Sequence, residues 1–341
     1  MHLPTNYRPL LGLIETERAI KAAKDRFETE LATALTLTRV SAPRVLEDGT
    51  GLQDDLAGTC TPVAFTTAFS KHRVEIVHSL AKWKRHALAR YGFAPGTGLY
   101  TDMDAIRKDE VVDELHSIYV DQWDWERILL PGERELGFLH RIVEHIYTAL
   151  LATEQHLVQN FPVLRRRLPS SLTFVHSEDL EARYPTLSPR LREDAMTREH
   201  GAVFLIGIGH ALRSGAPHDL RAADYDDWWT ETKPGYHGLN GDLLVHDDLR
   251  DKALELSSMG IRVDATALEA QLTLMGLTAR RAWPFHQGVL QGTLPLTIGG
   301  GIGQSRLCMF LLSKVHIGEV QASVWPEDLL ATCERQGIPL L

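Results

Sequence analysis

Apolar residues recur at helical spacing in ETERAIKAAKDRFETELATAL, where Ile20, Ala23, Phe27, Leu31 and Ala34 fall on one face. The same spacing in LGFLHRIVEHIYTALLATEQHLVQNF puts Leu139, Ile142, Val143 and Ile146 on one stripe and predicts a long packed helix. A shorter helix is expected over SLAKWKRHALARYG, with Ser79 as its N-cap and Gly92 past its end. LTFVHS, AVFLIGIG and GDLLV read as short buried strands, whereas HSIYVDQWDWERI alternates and reads as a longer one. Helices and strands are mixed without a regular β-α-β rhythm. The expected fold class is therefore α+β, with a mixed, mostly antiparallel sheet flanked by helices. No repeat, low-complexity tract or linker divides the chain, so a single domain over 1–341 is expected.

Hydrophobic residues make up 44% of the 341 and charged residues 24%, which suits a globular protein with a real core. No apolar run approaches the roughly 18 residues of a membrane span. The N-terminal stretch lacks the apolar block of a signal peptide, and a cytoplasmic location is expected. Cys60, Cys308 and Cys333 form no CxxC pair, which argues against a disulfide framework or a zinc ribbon. A formal net charge of −9 argues against a broad nucleic-acid surface, which needs excess Lys and Arg to neutralise phosphates.

Within the alternating strand, Gln122, Asp124 and Glu126 share one face, and Asp121, Trp123 and Trp125 the other. The polar face is either a solvated sheet surface or a ligand platform, on which a carboxylate holds an ammonium group and an amide reads a carboxylate. Asp242 and Glu255 lie in apolar, strand-like surroundings, and two carboxylates brought together suit Mg2+. Glu255 and Arg262 are seven apart, so a plain strand puts them on opposite faces; a bulge near Gly260 would bring them together. Lys82, Lys84 and Arg85 crowd the start of a helix, which fits either a bound anion or a solvated face. Arg107 to Glu110 read as a charged loop between strands. The segment HDLRAADYDDWW suits an Asp-rich turn or, alternatively, a metal cluster. His78, His116 and His286 lie among apolar residues and read as satisfied core histidines. TIGGGIGQSRLCMF places four glycines between Gly299 and Gly303 and opens into a helix carrying Arg306. It is neither a P-loop nor a dinucleotide fingerprint. Bare backbone there would let a flat ring pack and Arg306 reach phosphate oxygens; tight strand–helix packing is the alternative.

GGGIGQSRL resembles motif 3 of the class II aminoacyl-tRNA synthetases, and ELSSMGIR is similar to the segment before it in the aspartyl and asparaginyl members. More closely, the chain resembles the ammonia-dependent asparagine synthetase (AsnA-type aspartate–ammonia ligase) family. The resemblance runs through GLQDDLAG, VHSLAKWKR, GLYTDMDAIRKDE, LHSIYVDQWDWER, FVHSEDLEARYP, GAVFLIGIG, HDLRAADYDDW, GLNGDLLV, LELSSMGIRVD and TIGGGIGQSRL, in the family's order. It implies an eight-stranded, largely antiparallel sheet, usually in a homodimer. It also implies that ATP and L-aspartate give β-aspartyl-adenylate and pyrophosphate, and that ammonia then gives asparagine and AMP.

By the same resemblance Arg107, Lys84 and Asp54 form the catalytic set. Arg107 would hold the α-phosphate and the reacting carboxylate, and Arg262 and Arg306 the nucleotide. Asp242 and Glu255 would carry Mg2+. Asp54, Gln122 and Asp124 would hold the aspartate, Ser79 and Lys84 its carboxylates, with Ser257 beside them. Arg221, Asp226 and Ser258 would line the nucleotide pocket. The chain departs from the family at Asp55, where Asn is usual, at His210, where glycine is usual, and in AGTCTPVAF. Two other readings stay open. One is a paralogous amide ligase using another amine or aspartate-like acid. The other is a non-catalytic synthetase-like binding protein, expected to lose the three arginines that this chain keeps. A true tRNA synthetase would need an anticodon-binding domain for which the chain has no room.

Overall fold

The alternating strand is an inner strand of a sheet whose two faces do different work. A computed structural model describes residues 4, 7–54, 56 and 60–341. Its main sheet is built from β1 (Leu37–Arg39), β2 (Gly98–Ile106), β3 (Tyr119–Ile128), β4 (Thr173–His176), β5 (Ala202–Ile206), β6 (Asn240–Asp247), β7 (Lys252–Ile261) and β8 (Thr297–Gly303). The spatial order is β1-β2-β3-β8-β7-β6-β5-β4. The outer pairs β1–β2 and β4–β5 are parallel, and every pair between them is antiparallel. The expected mixed, mostly antiparallel sheet is thus present. Val45–Glu47, Ala64–Phe65 and Val74–Ile76 form a small second sheet, and Glu231–Lys233 pairs with Tyr236–His237.

Period-2 alternation divides the residues of β3. Trp123 and Trp125 are fully buried in the main core, with Ile302, Met259, Leu243 and Phe204 from neighbouring strands. That face is covered by α1 (Leu13–Leu35) and α3 (Leu136–Asn160), whose apolar stripes meet it; the rings of Phe27 and Trp123 lie 4.8 Å apart. The buried face of α1 ends on Leu35, and Ala34 is exposed, one position off the predicted stripe. Burying large aromatic and aliphatic side chains here is worth about 1.5–3 kcal/mol each.

The opposite face is covered only at its flanks. On one side α2 (Ala81–Tyr91) packs Trp83 and Leu88 on Leu99, Met103 and Ile128. On the other, α4 (Ser177–Arg183) and α5 (Pro189–His200) pack Leu180 and Met196 on Leu205 and Leu244. A third cluster joins α6 (Ala265–Leu274) and α7 (Pro284–Leu290) through Leu268, Leu272 and Phe285. The middle of this face stays open. Helix α2 starts one residue later than the predicted cap: its N-cap is Leu80, and the Ser79 hydroxyl accepts from the Ala81 N–H at 3.1 Å.

Lys82, Lys84 and Arg85, at the start of α2, are neither solvated nor gathered round one anion site. All are buried, and each has its own acceptor. Lys82 Nζ lies 3.0 Å from Asp224. Arg85 donates to the carbonyls of Pro295 (2.8 Å) and Val263 (2.7 Å). Asp224, fully buried, also receives Arg280 and His286 at 3.0 Å each, so it ties α2 to α7 and to the turn before α7. Burial alone would raise the Asp224 carboxyl, but Lys82, His286 and Arg280 overcome it and hold it well below the ordinary carboxylate range.

Because its folded value is depressed, Asp224 contributes its full stability above the unfolded carboxylate value of about 4 and loses it as pH falls further. Asp224→Asn is expected to lower unfolding free energy by about 3–5 kcal/mol at pH 7, since it strands buried cations. Urea titrations should show that deficit shrinking below about pH 4.

Candidate active site

Four strands contribute to the open middle of the face. In one hydrogen-bonded row stand Asp124 of β3, Gly301 of β8, Ser258 of β7 and Asp242 of β6. In the next row stand Glu126, Gly299, Gly260 and Asn240. The glycines of β8 are explained by what crosses them. A Cβ at Gly299 would fall on the Glu126 carboxylate and within 2.7 Å of Arg262 Nη2. One at Gly301 would come within 2.5 Å of Gln122 Oε1 and 2.8 Å of Asp124 Oδ1. At Gly303 it would meet the aliphatic stem of Arg306, at 3.3 Å. The strand is bare so that polar side chains of its neighbours can lie across it.

Above this floor lies a cavity of about 310 Å³. Of the residues singled out from sequence, Asp54, Ser79, Lys84, Arg107, Gln122, Asp124, Arg221, Asp226, Glu255, Ser258, Arg262 and Arg306 line it. Asp242 lies behind the wall and pairs with Arg221. Ser257 turns the other way: it pairs in register with Ile302 and Leu243, residues of the core face, and its hydroxyl donates to the Gly301 carbonyl at 2.9 Å. The cause is a bulge in β7. Leu243 pairs with Ser257 and Leu244 with Glu255, so Leu256 is an extra residue. Side-chain facing flips there, which puts Glu255 and Arg262 on one face although they are seven apart. The bulge is at Leu256, not near Gly260 as expected, because Gly260 keeps regular register with Asn240 and Gly299. Arg262 does not meet Glu255; it pairs with Glu126 and Asp226.

The charges differ in how far they are committed. Arg262 donates to Glu126 from Nε (3.0 Å) and Nη2 (2.8 Å), and to Asp226 from Nη1, so its fork is filled by two buried carboxylates. Lys84 Nζ donates to the Gly300 carbonyl at 2.8 Å and lies 3.3 Å from Asp124; burial pushes its ammonium down. Arg107 is less engaged: Nη2 reaches the His78 carbonyl at 3.5 Å, and the buried Nε has no partner. Arg306, in the first turn of α8 (Gln304–Leu311), donates from Nη1 to the Glu255 carbonyl at 3.2 Å. Burial, with the Glu255 charge adding to it against Arg221, raises the Asp242 carboxyl to about 7. Its Oδ1 is buried and without a partner. An orphaned carboxylate oxygen beside a second carboxylate is a donor set that fits a hard divalent cation. Among the described residues no cluster of three or more His, Cys, Asp or Glu could hold a metal, so HDLRAADYDDWW forms ion pairs and turns rather than a metal cluster.

His78 and His286 are buried and bonded, as expected. His116 is not a core residue: it is half-buried, lines the cavity and touches Arg306. The sequence signal available was Asp113, three residues before it. Tyr225 and Gln321 also line the cavity without having been singled out. Asp55 lies outside the described residues. His210 stacks on His237 at 3.8 Å, away from the cavity lining.

The family model described as AsnA, aspartate-ammonia ligase, matches residues 14–337. The chain is 54% identical over 342 residues to an aspartate–ammonia ligase of Clostridium perfringens, covering 100% of this chain and 99% of the relative. It is 51% identical to one of Parabacteroides distasonis, over 99% and 98% of the two chains. Among solved structures it is similar in fold to asparaginyl-tRNA synthetase from Pyrococcus horikoshii complexed with asparaginyl-adenylate, with TM-score 0.68 and 13% identity, covering 92% of this chain and 70% of that one.

Two neighbouring glycines separate the roles of the bare strand. Gly301→Ala pushes only on the ends of Gln122 and Asp124, so it is expected to melt near the wild type and lose turnover at least about tenfold. Gly300→Ala meets Met259 Cβ at 2.6 Å and the Ser258 carbonyl at 2.7 Å, and should lose about 1–3 kcal/mol of stability. Melting curves beside initial rates check both.

Proposed function

The chain belongs to the aspartate–ammonia ligase family, and we propose that its cavity makes L-asparagine by adenylation. A β-carboxylate oxygen of L-aspartate attacks the α-phosphorus of ATP, and the bond to the bridging oxygen breaks to release pyrophosphate. Ammonia then attacks the acyl carbon, loses a proton, and AMP leaves with its oxygen. One observation carries the reading. Two arginines, Arg107 with its buried Nε unpaired and Arg306, line the same glycine-floored cavity as Asp54, Gln122 and Asp124. The arginines concentrate positive charge where two anions must meet. The acids suit an amino acid's ammonium group.

In this reading Arg107 lies at the α-phosphate and the reacting carboxylate, and Arg306 at the nucleotide. Arg262 holds the nucleotide side with its fork already fixed by Glu126 and Asp226. Lys84 and Ser79 meet the aspartate carboxylates, and Asp54, Asp124 and Gln122 its ammonium end. Arg221, Asp226 and Ser258 line the nucleotide. Asp242 and Glu255 would hold Mg2+, which when bound offsets phosphate charge. The reading also takes residues 1–341 as one catalytic domain, working as a cytoplasmic homodimer. Among the described residues no helix is long and apolar enough to cross a membrane.

The direct products are expected to be AMP and pyrophosphate, in an aspartate- and ammonia-dependent assay; ADP and orthophosphate would overturn the adenylation step. Arg306→Ala is expected to lower ATP–pyrophosphate exchange by about a hundredfold or more while leaving the melting curve unchanged.

A further inference from the structure

The loop from Arg107 to Ile118, between β2 and β3, folds around one carboxylate. Asp113 Oδ1 accepts from the N–H groups of Leu115 and His116, and from the His116 ring at Nδ1, each at 2.8 Å. Burial works against the Asp113 charge, but these bonds outweigh it and bring the carboxyl down to about 2, so it remains an acceptor at neutral pH. A neutral imidazole that donates at Nδ1 accepts at Nε2. The group facing Nε2 is Arg306 Nη2, at 3.0 Å. A guanidinium has no acceptor, so the direction of both bonds is fixed: Arg306 donates to His116, and His116 donates to Asp113. On the far side Arg306 Nη1 donates to the Glu255 carbonyl at 3.2 Å, with the Glu255 carboxylate 3.6 Å away. The guanidinium is therefore clamped between a loop and the bulged strand, with its stem resting over Gly303.

We propose that His116 is a positioning residue for adenylation: its Nε2 holds the Arg306 guanidinium in the orientation that meets the nucleotide phosphates, and Asp113 fixes the ring that does so. This rests on the ATP-dependent reading of the cavity. Arg306 is a long, flexible side chain at the rim, and placement to within about 1 Å can decide a hundredfold in rate. His116 acts through Arg306.

The two ring nitrogens can be tested separately. His116→Asn puts an amide where Nδ1 was, keeping the bond to Asp113 and removing the acceptor from Arg306. His116→Gln reaches the Nε2 position and restores an acceptor there. ATP–pyrophosphate exchange with aspartate is measured for both, with melting curves. His116→Asn is expected to lose about tenfold or more in exchange rate, with a raised KM for ATP and little change for aspartate, at an unchanged melting temperature. His116→Gln should recover most of the loss. In an Arg306→Lys background, His116→Asn should cost little further, because the coupling is already gone. A His116→Asn enzyme equal to wild type overturns the inference, as do equal losses in both variants or a loss that adds in full to Arg306→Lys. A wild-type chain without exchange would instead overturn the adenylation reading on which the inference depends.

Discussion

Glu126 and Arg262 form a charged pair that lies across the glycines of β8. Glu126 is fully buried, and Arg262 is 2% exposed. Burying two charges is tolerable only when every donor and acceptor is used. Here Arg262 Nε and Nη2 meet Glu126, the Thr297 hydroxyl adds a bond at 2.6 Å, and Asp226 takes the remaining amino group. No room is left for a β-carbon at Gly299. The glycine strand, the acid on β3 and the arginine after β7 are thus one device. Losing any one of them leaves a buried charge unpaired or a clash in the middle of the sheet.

Around that device the charges fall into two groups. Lys82, Arg85 and Arg262 are used up in holding elements together. Arg107, whose buried Nε has no partner, and Arg306, held by His116 and the Glu255 carbonyl, line the cavity. The first group gives a rigid frame in a low-dielectric interior, and the second is then held against that frame with little freedom to relax. Electrostatic stabilisation of a reacting centre is strongest under that condition, because the dipoles and charges need no reorganisation as charge develops.

How much of this could be read from the chain depends on where each residue's partner lies. The alternation of β3 was readable because the tryptophans and acids of HSIYVDQWDWERI carry the period within one segment, and the main core follows from it. The fate of α2's cations was not, because Lys82 meets Asp224 and Arg85 meets Val263, both far along the chain. His116 looked apolar in its surroundings, yet its partner Arg306 arrives from α8. The need for a bulge in β7 could be inferred from the spacing of Glu255 and Arg262. Its position could not, since register is set by β6. Seven of the ten segments that carry the family resemblance supplied most of the cavity wall, because they hold the residues that line it.

The bulge at Leu256 also separates chain length from side-chain facing. Leu256 and Ser257 both turn toward the core side, between Glu255 and Ser258 on the cavity side. Removing one of that pair restores plain alternation, with Glu255 and Arg262 six apart and still on the same face. Over most of a sheet, a one-residue gap exchanges core for solvent. At this point of β7 a gap of one residue would shorten the strand and leave Glu255 and Ser258 both facing the cavity.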